Sequence, residues 1–222
     1  MKRTLIAGAM ALAVAGLSGC ASPEPRYYSL AAGTPAAAPS PTSPSSPSTA
    51  AAQPVWIEVA PVRVPERLNR AQLVMSDANG NVRLLDQSRW SAPLPDELRD
   101  ALSQQLQANL GAVDTYQQGL AEVGTIFRIT TEVVRLEGEP GQRAGATIAW
   151  TVRRLPDGNV LSGRTEAEVP VSGQVEDVVG AYRQIVATTA SDIATGVRSL
   201  RVQAGTAGAP GPTATTAPLP VR

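Results

Sequence analysis

Residues 31–54 read AAGTPAAAPSPTSPSSPSTAAAQP, and a packed body cannot be built from them. The stretch carries no charge and no large apolar side chain. It therefore cannot bury enough surface to offset the entropy of ordering it, and it is predicted to be a disordered tether. Extended as polyproline II at ~3.1 Å per residue it would reach on the order of 70 Å, and as a relaxed coil ~30 Å. Such reach would let an attached body work well away from its point of attachment. Residues 203–222 (QAGTAGAPGPTATTAPLPVR) repeat the same composition and are predicted to be a disordered tail. The foldable part is thereby confined to residues 55–202, the size of a single domain.

The chain upstream of the tract has its own pattern. Lys2 and Arg3 precede an apolar, Ala-rich run from Leu5 to Leu17. A membrane-crossing helix needs about 20 apolar residues, so this shorter run reads as a signal peptide over residues 1–19. Leu17-Ser18-Gly19-Cys20 then matches the lipobox of bacterial lipoproteins. Small residues before the cut let an extended chain enter a peptidase cleft. The resemblance to lipoproteins implies that the Cys20 thiol takes a diacylglycerol and that the amine freed by cleavage takes an acyl chain. One chain binds a bilayer only marginally, whereas two or three give stable anchoring. Position 21 is Ala rather than Asp, which by the sorting rule of enteric-type lipoproteins favours the outer membrane. Residues 20–30 then form the anchor and a Tyr-Tyr segment. Tyr27 and Tyr28 have two readings: at the lipid interface, where an amphipathic ring sits well, or docked on the domain as an added strand.

Within residues 55–202 the hydrophobic period alternates between strand and helix. Val55, Ile57 and Val59 alternate with Trp56 and Glu58 over Val55–Val62. Ala71–Ser76 and Val82–Asp86 flank Asn79-Gly80, a hairpin signal. Leu94, Leu98, Leu102, Leu106 and Leu110 predict a helix, with Ala101 and Ala108 widening its stripe and Gly111 as its cap. Thr125–Leu136, Ala144–Leu155 and Val160–Val171 read as an antiparallel meander, the last two joined by the turn Pro156–Asn159. Gln174–Leu200 is a second amphipathic helix with a close 3.6 period. Two apolar stripes require a sheet to cover. The fold class predicted is α/β, a single sandwich with a mixed, largely antiparallel sheet and two helices in the order β-β-β-α-β-β-β-α. Whether both helices share one face is left open.

Chemistry is sparse. The chain has no histidine and a single cysteine, and its only lysine is Lys2. It therefore lacks the commonest general base, the commonest zinc ligand and any internal disulfide. No phosphate loop, Gly-x-Ser-x-Gly motif or metal spacing occurs, so no catalytic residue, metal or dissociable cofactor is expected. Lys plus Arg and Asp plus Glu are 19 each, a net charge of zero, which argues against nucleic acid as a partner. Asp96 and Glu97 are adjacent on the first helix, point different ways and read as dipole partners of its first turn. Trp90, just before that helix, is either a partner-facing hot spot or a residue packed under it. Arg63, Arg67 and Arg70 either meet an acidic surface or solvate a Pro-bounded loop.

The lipobox, then Tyr27-Tyr28-x-Leu30, Trp56-Ile57-Glu58-Val59, Val64-Pro65-x-x-Leu68, and Trp90-x-x-Pro93-Leu94 opening a Leu-repeat helix together resemble the PqiC family. These are ABC-type transport auxiliary lipoproteins that accompany MCE (mammalian cell entry) systems. The resemblance runs from the lipobox to Leu200, apart from the inserted tether. It implies an α/β body anchored in the outer membrane and facing the periplasm, docking on an MCE-family protein and able to form homo-oligomers. Tyr27, Tyr28, Arg67, Arg70 and Trp90 are the candidate docking contacts. The alternative is another envelope-assembly or cell-wall-associated binding lipoprotein.

Overall fold

A computed structural model of the protein describes residues 24–31, 54–76, 79–116 and 124–207, with side chains as far as Gln203. The signal peptide, Cys20, residues 32–53 of the tract and residues 208–222 of the tail lie outside the described residues.

The strands are β1 (Arg26–Tyr28), β2 (Val55–Val59), β3 (Gln72–Ser76), β4 (Val82–Trp90), β5 (Ala112–Asp114), β6 (Ile126–Glu139), β7 (Arg143–Leu155) and β8 (Val160–Pro170). The helices are α1 (Leu94–Leu110), after β4, and α2 (Val175–Ala207), after β8. The α/β class holds, with two more strands than the sequence announced: β1 from the Tyr-Tyr segment and the short β5 after Gly111. Gly111 caps α1 in the left-handed conformation, φ 59°. The second helix runs past Leu200 to Ala207, so the first residues of the predicted tail are helical. Arg, Gln and Ala are good helix formers, and the first proline after them is Pro210.

One eight-stranded sheet is organised around β6. One edge of β6 pairs antiparallel with β7, which pairs with β8. Its other edge has two partners. The N-terminal part pairs parallel with β2, Trp56–Val59 against Ile126–Ile129, and the far end meets β3 through Ser76 and Gly138. The sheet forks there: β5 continues from β2, while β4 and then β1 continue from β3. A bulge between Val133 and Arg135 leaves Val134 as an extra, exposed residue. It shifts the parity of β6, so that Leu136 and Gly138 are buried along with Phe127, Ile129 and Val133.

Both helices lie on that buried face, which the sequence had left open. Leu94, Leu98, Leu102 and Leu106 of α1 and Val178, Tyr182, Ile185, Ile193 and Val197 of α2 are all 3% exposed or less. Each such side chain contributes about 1.5–3 kcal/mol relative to exposure. The α1 stripe is narrower than its period implied, because Ala108 is exposed. Trp150 of β7 wedges between β8 and α2. A Cβ on Gly163 would lie 2.2 Å from its ring and one on Gly196 3.3 Å, so glycine on both sides makes the slot. The opposite face of the sheet is laced with ion pairs, among them Arg128–Glu58, Arg143–Glu168 and Arg164–Glu166. Each exposed pair is worth about 0–1 kcal/mol, so this face is a wet surface rather than a second core.

Candidate functional site

The Tyr-Tyr segment is built into the body. β1 pairs parallel with β4, matching Arg26 with Ser88, Tyr27 with Arg89 and Tyr28 with Trp90. The Ser91 N–H donates to the Tyr28 carbonyl at 2.8 Å. Parallel pairing over three residues is weak by itself, and side chains from two helices hold it. The Tyr28 hydroxyl and the Arg26 guanidinium both donate to Glu176 at the start of α2, at 2.9 and 3.0 Å. The Glu176 backbone N–H, then Tyr28 and Arg26, hold its carboxyl below the usual carboxylate range. Arg183 of α2 donates twice to the Ser29 carbonyl, at 3.1 and 2.6 Å.

The strongest clasp is Glu97, in the first turn of α1 and only 4% exposed. One carboxylate oxygen accepts the Ser29 hydroxyl at 2.8 Å and the Leu30 N–H at 2.7 Å. The other accepts the Ser91 hydroxyl and, at 3.1 Å, the Ala92 N–H. Four donors therefore saturate one buried carboxylate, and Leu30 is sealed beside it at 3% exposure. Glu97 and Asp96 do point apart, Asp96 being exposed. Glu97 is nevertheless far more than a dipole partner. Its donors Ser29 and Leu30, just after the first strand, lie 68 and 67 residues upstream, and no local pattern announces them.

This arrangement corrects the role of the 31–54 tract. Ala31 leaves the body where Glu97 clasps Leu30, and Pro54 re-enters it before β2. The tract therefore joins two strands of one domain instead of separating an anchor from a domain.

Three of the predicted contact residues meet at the end of β1 and β4. Tyr28 is half-buried beside Trp90, while Tyr27 is 63% exposed. Trp90 is 5% exposed, so its packed reading is the correct one. Its edge still lines a cleft of about 360 Å³ between Asn69–Ala71 and Ser91–Pro93, which Arg70 borders. Arg67 is exposed on the preceding 3-10 turn, Glu66–Leu68, and Arg63 pairs with Glu132 at 3.2 Å.

Two clusters carried no sequence signal. Asp114 of β5, 8% exposed, accepts from Arg99 at 2.5 Å, Ser103 at 2.6 Å, the Val59 N–H at 3.3 Å and the Tyr116 N–H at 3.1 Å. It binds α1 to the end of β2. Arg154, 7% exposed on β7, pairs with Asp157 and donates to the Leu200 carbonyl. The Arg154 guanidinium holds the Asp157 carboxyl below its ordinary range. Among the described residues, no group of three or more Cys, Asp or Glu side chains is placed to hold a metal ion, and no helix is long and apolar enough to cross a membrane.

The fold and the clasp define a class: a two-layer α/β body whose first described strand is stitched into its sheet edge. The sequence model of one family, the ABC-type transport auxiliary lipoprotein component, matches residues 28–194. The chain belongs to that family. The match begins at Tyr28, within the clasped strand. Among solved structures, an uncharacterized protein is 19% identical with a TM-score of 0.56, covering 64% of this chain and 92% of that one. A protein from Xanthomonas campestris is 16% identical with a TM-score of 0.51, covering 68% and 88%. These likenesses establish the fold. No curated protein matches the chain.

Proposed function

We propose that this chain is the outer-membrane-anchored, periplasm-facing lipoprotein subunit of an MCE-type lipid transport system, acting as a docking or structural part and not as an enzyme. The family supplies the transport role, and the lipobox supplies the anchor at Cys20, carried as a diacylglycerol thioether with an N-acyl chain. The observation that carries the reading is the clasp. A strand a few residues from Cys20 is held by Glu97, Arg183 and Glu176, so force on the lipid passes directly into the folded body. A docking part needs that coupling, whereas a freely swinging binding domain does not. Self-association of copies belongs to the same reading.

The test is affinity capture of the full lipidated protein from detergent-solubilised envelopes. Recovery of an MCE-family protein is the expected result. Recovery of peptidoglycan or an assembly barrel instead would replace this reading with that of another envelope-assembly lipoprotein. Processing has its own check. Lys2 is the only lysine, so an acylated mature chain offers no amine, and amine-reactive labels should leave it unmodified.

A further inference from the structure

We propose that the end of the body formed by β1, the β3–β4 hairpin and the start of α2 lies against the bilayer that holds Cys20. The proposal rests on the anchored reading above and adds to it a contact surface and an orientation. Only residues 21–23 stand between Cys20 and Glu24, the first described residue. A covalent chain of that length spans at most about 14 Å. The tract at 32–53 adds nothing to this reach, because both of its ends are on the body.

The direction of approach is fixed by pairing. β1 runs parallel to β4 with Arg26 beside Ser88, so the chain upstream of Arg26 heads along β4 toward Asp86 and Val82. That is the side of the β3–β4 turn. Arg26 and Tyr28 are tied to Glu176, in the first turn of α2, and Ser76 meets Gly138 near the turn of β6 into β7. These elements share one end. From there α2 runs for 33 residues, about 50 Å at 1.5 Å per residue. The far end, where Arg154 meets Leu200, therefore points away from the anchor.

The tip of the β3–β4 hairpin carries apolar side chains open to water, Val82 at 55% exposure and Leu84 at 44%, while Tyr27, 63% exposed, stands on β1 beside the base of that hairpin. Arg83, at the same tip but on the other face of β4, has a side chain long enough to offer its guanidinium to lipid phosphates, and the Tyr27 ring suits the headgroup boundary further along the edge. The occupant of this surface is thus a phospholipid interface, with the apolar side chains lowered among the headgroups.

The experiment uses the full lipidated protein in phosphatidylethanolamine–phosphatidylglycerol vesicles doped with a rhodamine lipid. Acylation of Cys20 leaves an engineered thiol as the only free one, and it carries an environment-sensitive fluorophore. A probe at Leu84→Cys should be blue-shifted and strongly quenched, and one at Ala108→Cys unshifted and weakly quenched. Deleting residues 37–46 should change neither signal. Inserting about 20 Gly/Ser residues before Pro23 should cut quenching at Leu84→Cys several-fold. Equal quenching at both positions, or a signal that follows the 37–46 deletion, overturns the proposal while leaving the anchor intact. A protein that fails to float with the vesicles overturns the anchored reading and the proposal together.

Discussion

Two buried acids, Glu97 on α1 and Asp114 on the strand that follows it, are satisfied in different ways. Asp114 faces a guanidinium: Arg99 reaches it from one turn of α1 while Ser103, Val59 and Tyr116 donate around it. All of these partners lie between residues 59 and 116, so the cluster closes the body on itself. Glu97 accepts four hydrogen bonds from uncharged donors, two of them on the segment that leads from Cys20. It draws on the positive end of α1 instead of a cation. One acid is thus internal architecture, and the other joins the body to its attachment. The two should come apart under mutation.

The sharpest break is Asp114→Ala. It removes the partner of a mostly buried Arg99 and leaves a hydroxyl and two N–H groups without their acceptor. We expect a loss of about 3–4 kcal/mol, read by urea unfolding as one cooperative transition. A loss below about 1 kcal/mol would mean that Arg99 re-pairs fully with Asp100, which already lies 3.0 Å away. Glu97→Ala should cost less, about 2–3 kcal/mol, because β1 can leave while the rest of the sheet stays paired. Its distinguishing readout is amide exchange. Protection at Leu30 should collapse to the level of open chain while Ile129 and Val152 keep theirs; in Asp114→Ala all three should fall together. Glu97→Gln should behave like Glu97→Ala, since an amide turns an NH₂ toward two of the four donors.

A deletion reaches the same end by a different route. Removing residues 35–52 would be silent if 31–54 were a tether outside the fold. Both ends are held, however. Arg183 binds Ser29, and Arg201 lines the same cleft as Pro54. Between those arginines α2 rises about 27 Å, whereas the seven links that the deletion leaves from Ser29 to Pro54 span at most about 25 Å even when fully taut. The deletion should therefore pull β1 out and destabilise the protein about as much as Glu97→Ala.

What was legible in advance follows the range of the determinants. The bounds of α1, Leu94–Leu110, were readable because each cause is local: a Leu every fourth residue, Pro95 in the first turn and Gly111 at the end. The strands of the β6–β7–β8 meander were readable for the same reason. Strand order was not, because nothing in β2 states that it will pair parallel with β6 across some 70 residues of chain. The Tyr-Tyr segment offered two readings, and the structure shows the docked strand, turning Tyr28 inward to Glu176 and leaving Tyr27 exposed. Glu97 was legible only as an acid in a first helical turn. Its burial depends on Ser29 and Leu30 arriving from another region, which no window of sequence contains. Trp90 read more readily as packed under the helix than as a surface residue, and the packing of α1 bears that reading out.

Acid should loosen the clasp from its other side, with a smaller effect. The Glu176 carboxyl is held below its ordinary value of 4.5 by its own N–H, the Tyr28 hydroxyl and Arg26. A lowered folded pKa stabilises the protein above the ordinary value, and that contribution disappears as the pH falls through the folded one. The gap in thermal midpoint between the wild type and Glu176→Gln should accordingly be constant near neutrality and close below about pH 4.5. Half of the Glu176 side chain is in water, so the gap itself should be small. A gap that widened in acid would remove Glu176 from the clasp.

The smallest effect is expected from removing residues 37–46, and its sign separates two pictures of the tract. A spacer outside the fold contributes nothing to stability, so trimming it would leave the midpoint where it was. A closed loop between two fixed strand ends costs entropy that grows with its length. About halving it, while leaving enough chain to span the ends, should stabilise the body by about 0.6 kcal/mol. Differential scanning calorimetry of the wild type and the trimmed protein resolves that difference. A rise of a few degrees identifies a loop clasped at both ends, and no shift would mean that β1 leaves the sheet often enough to release it. Glu97→Ala supplies the control: with the clasp already open, the same trimming should gain nothing.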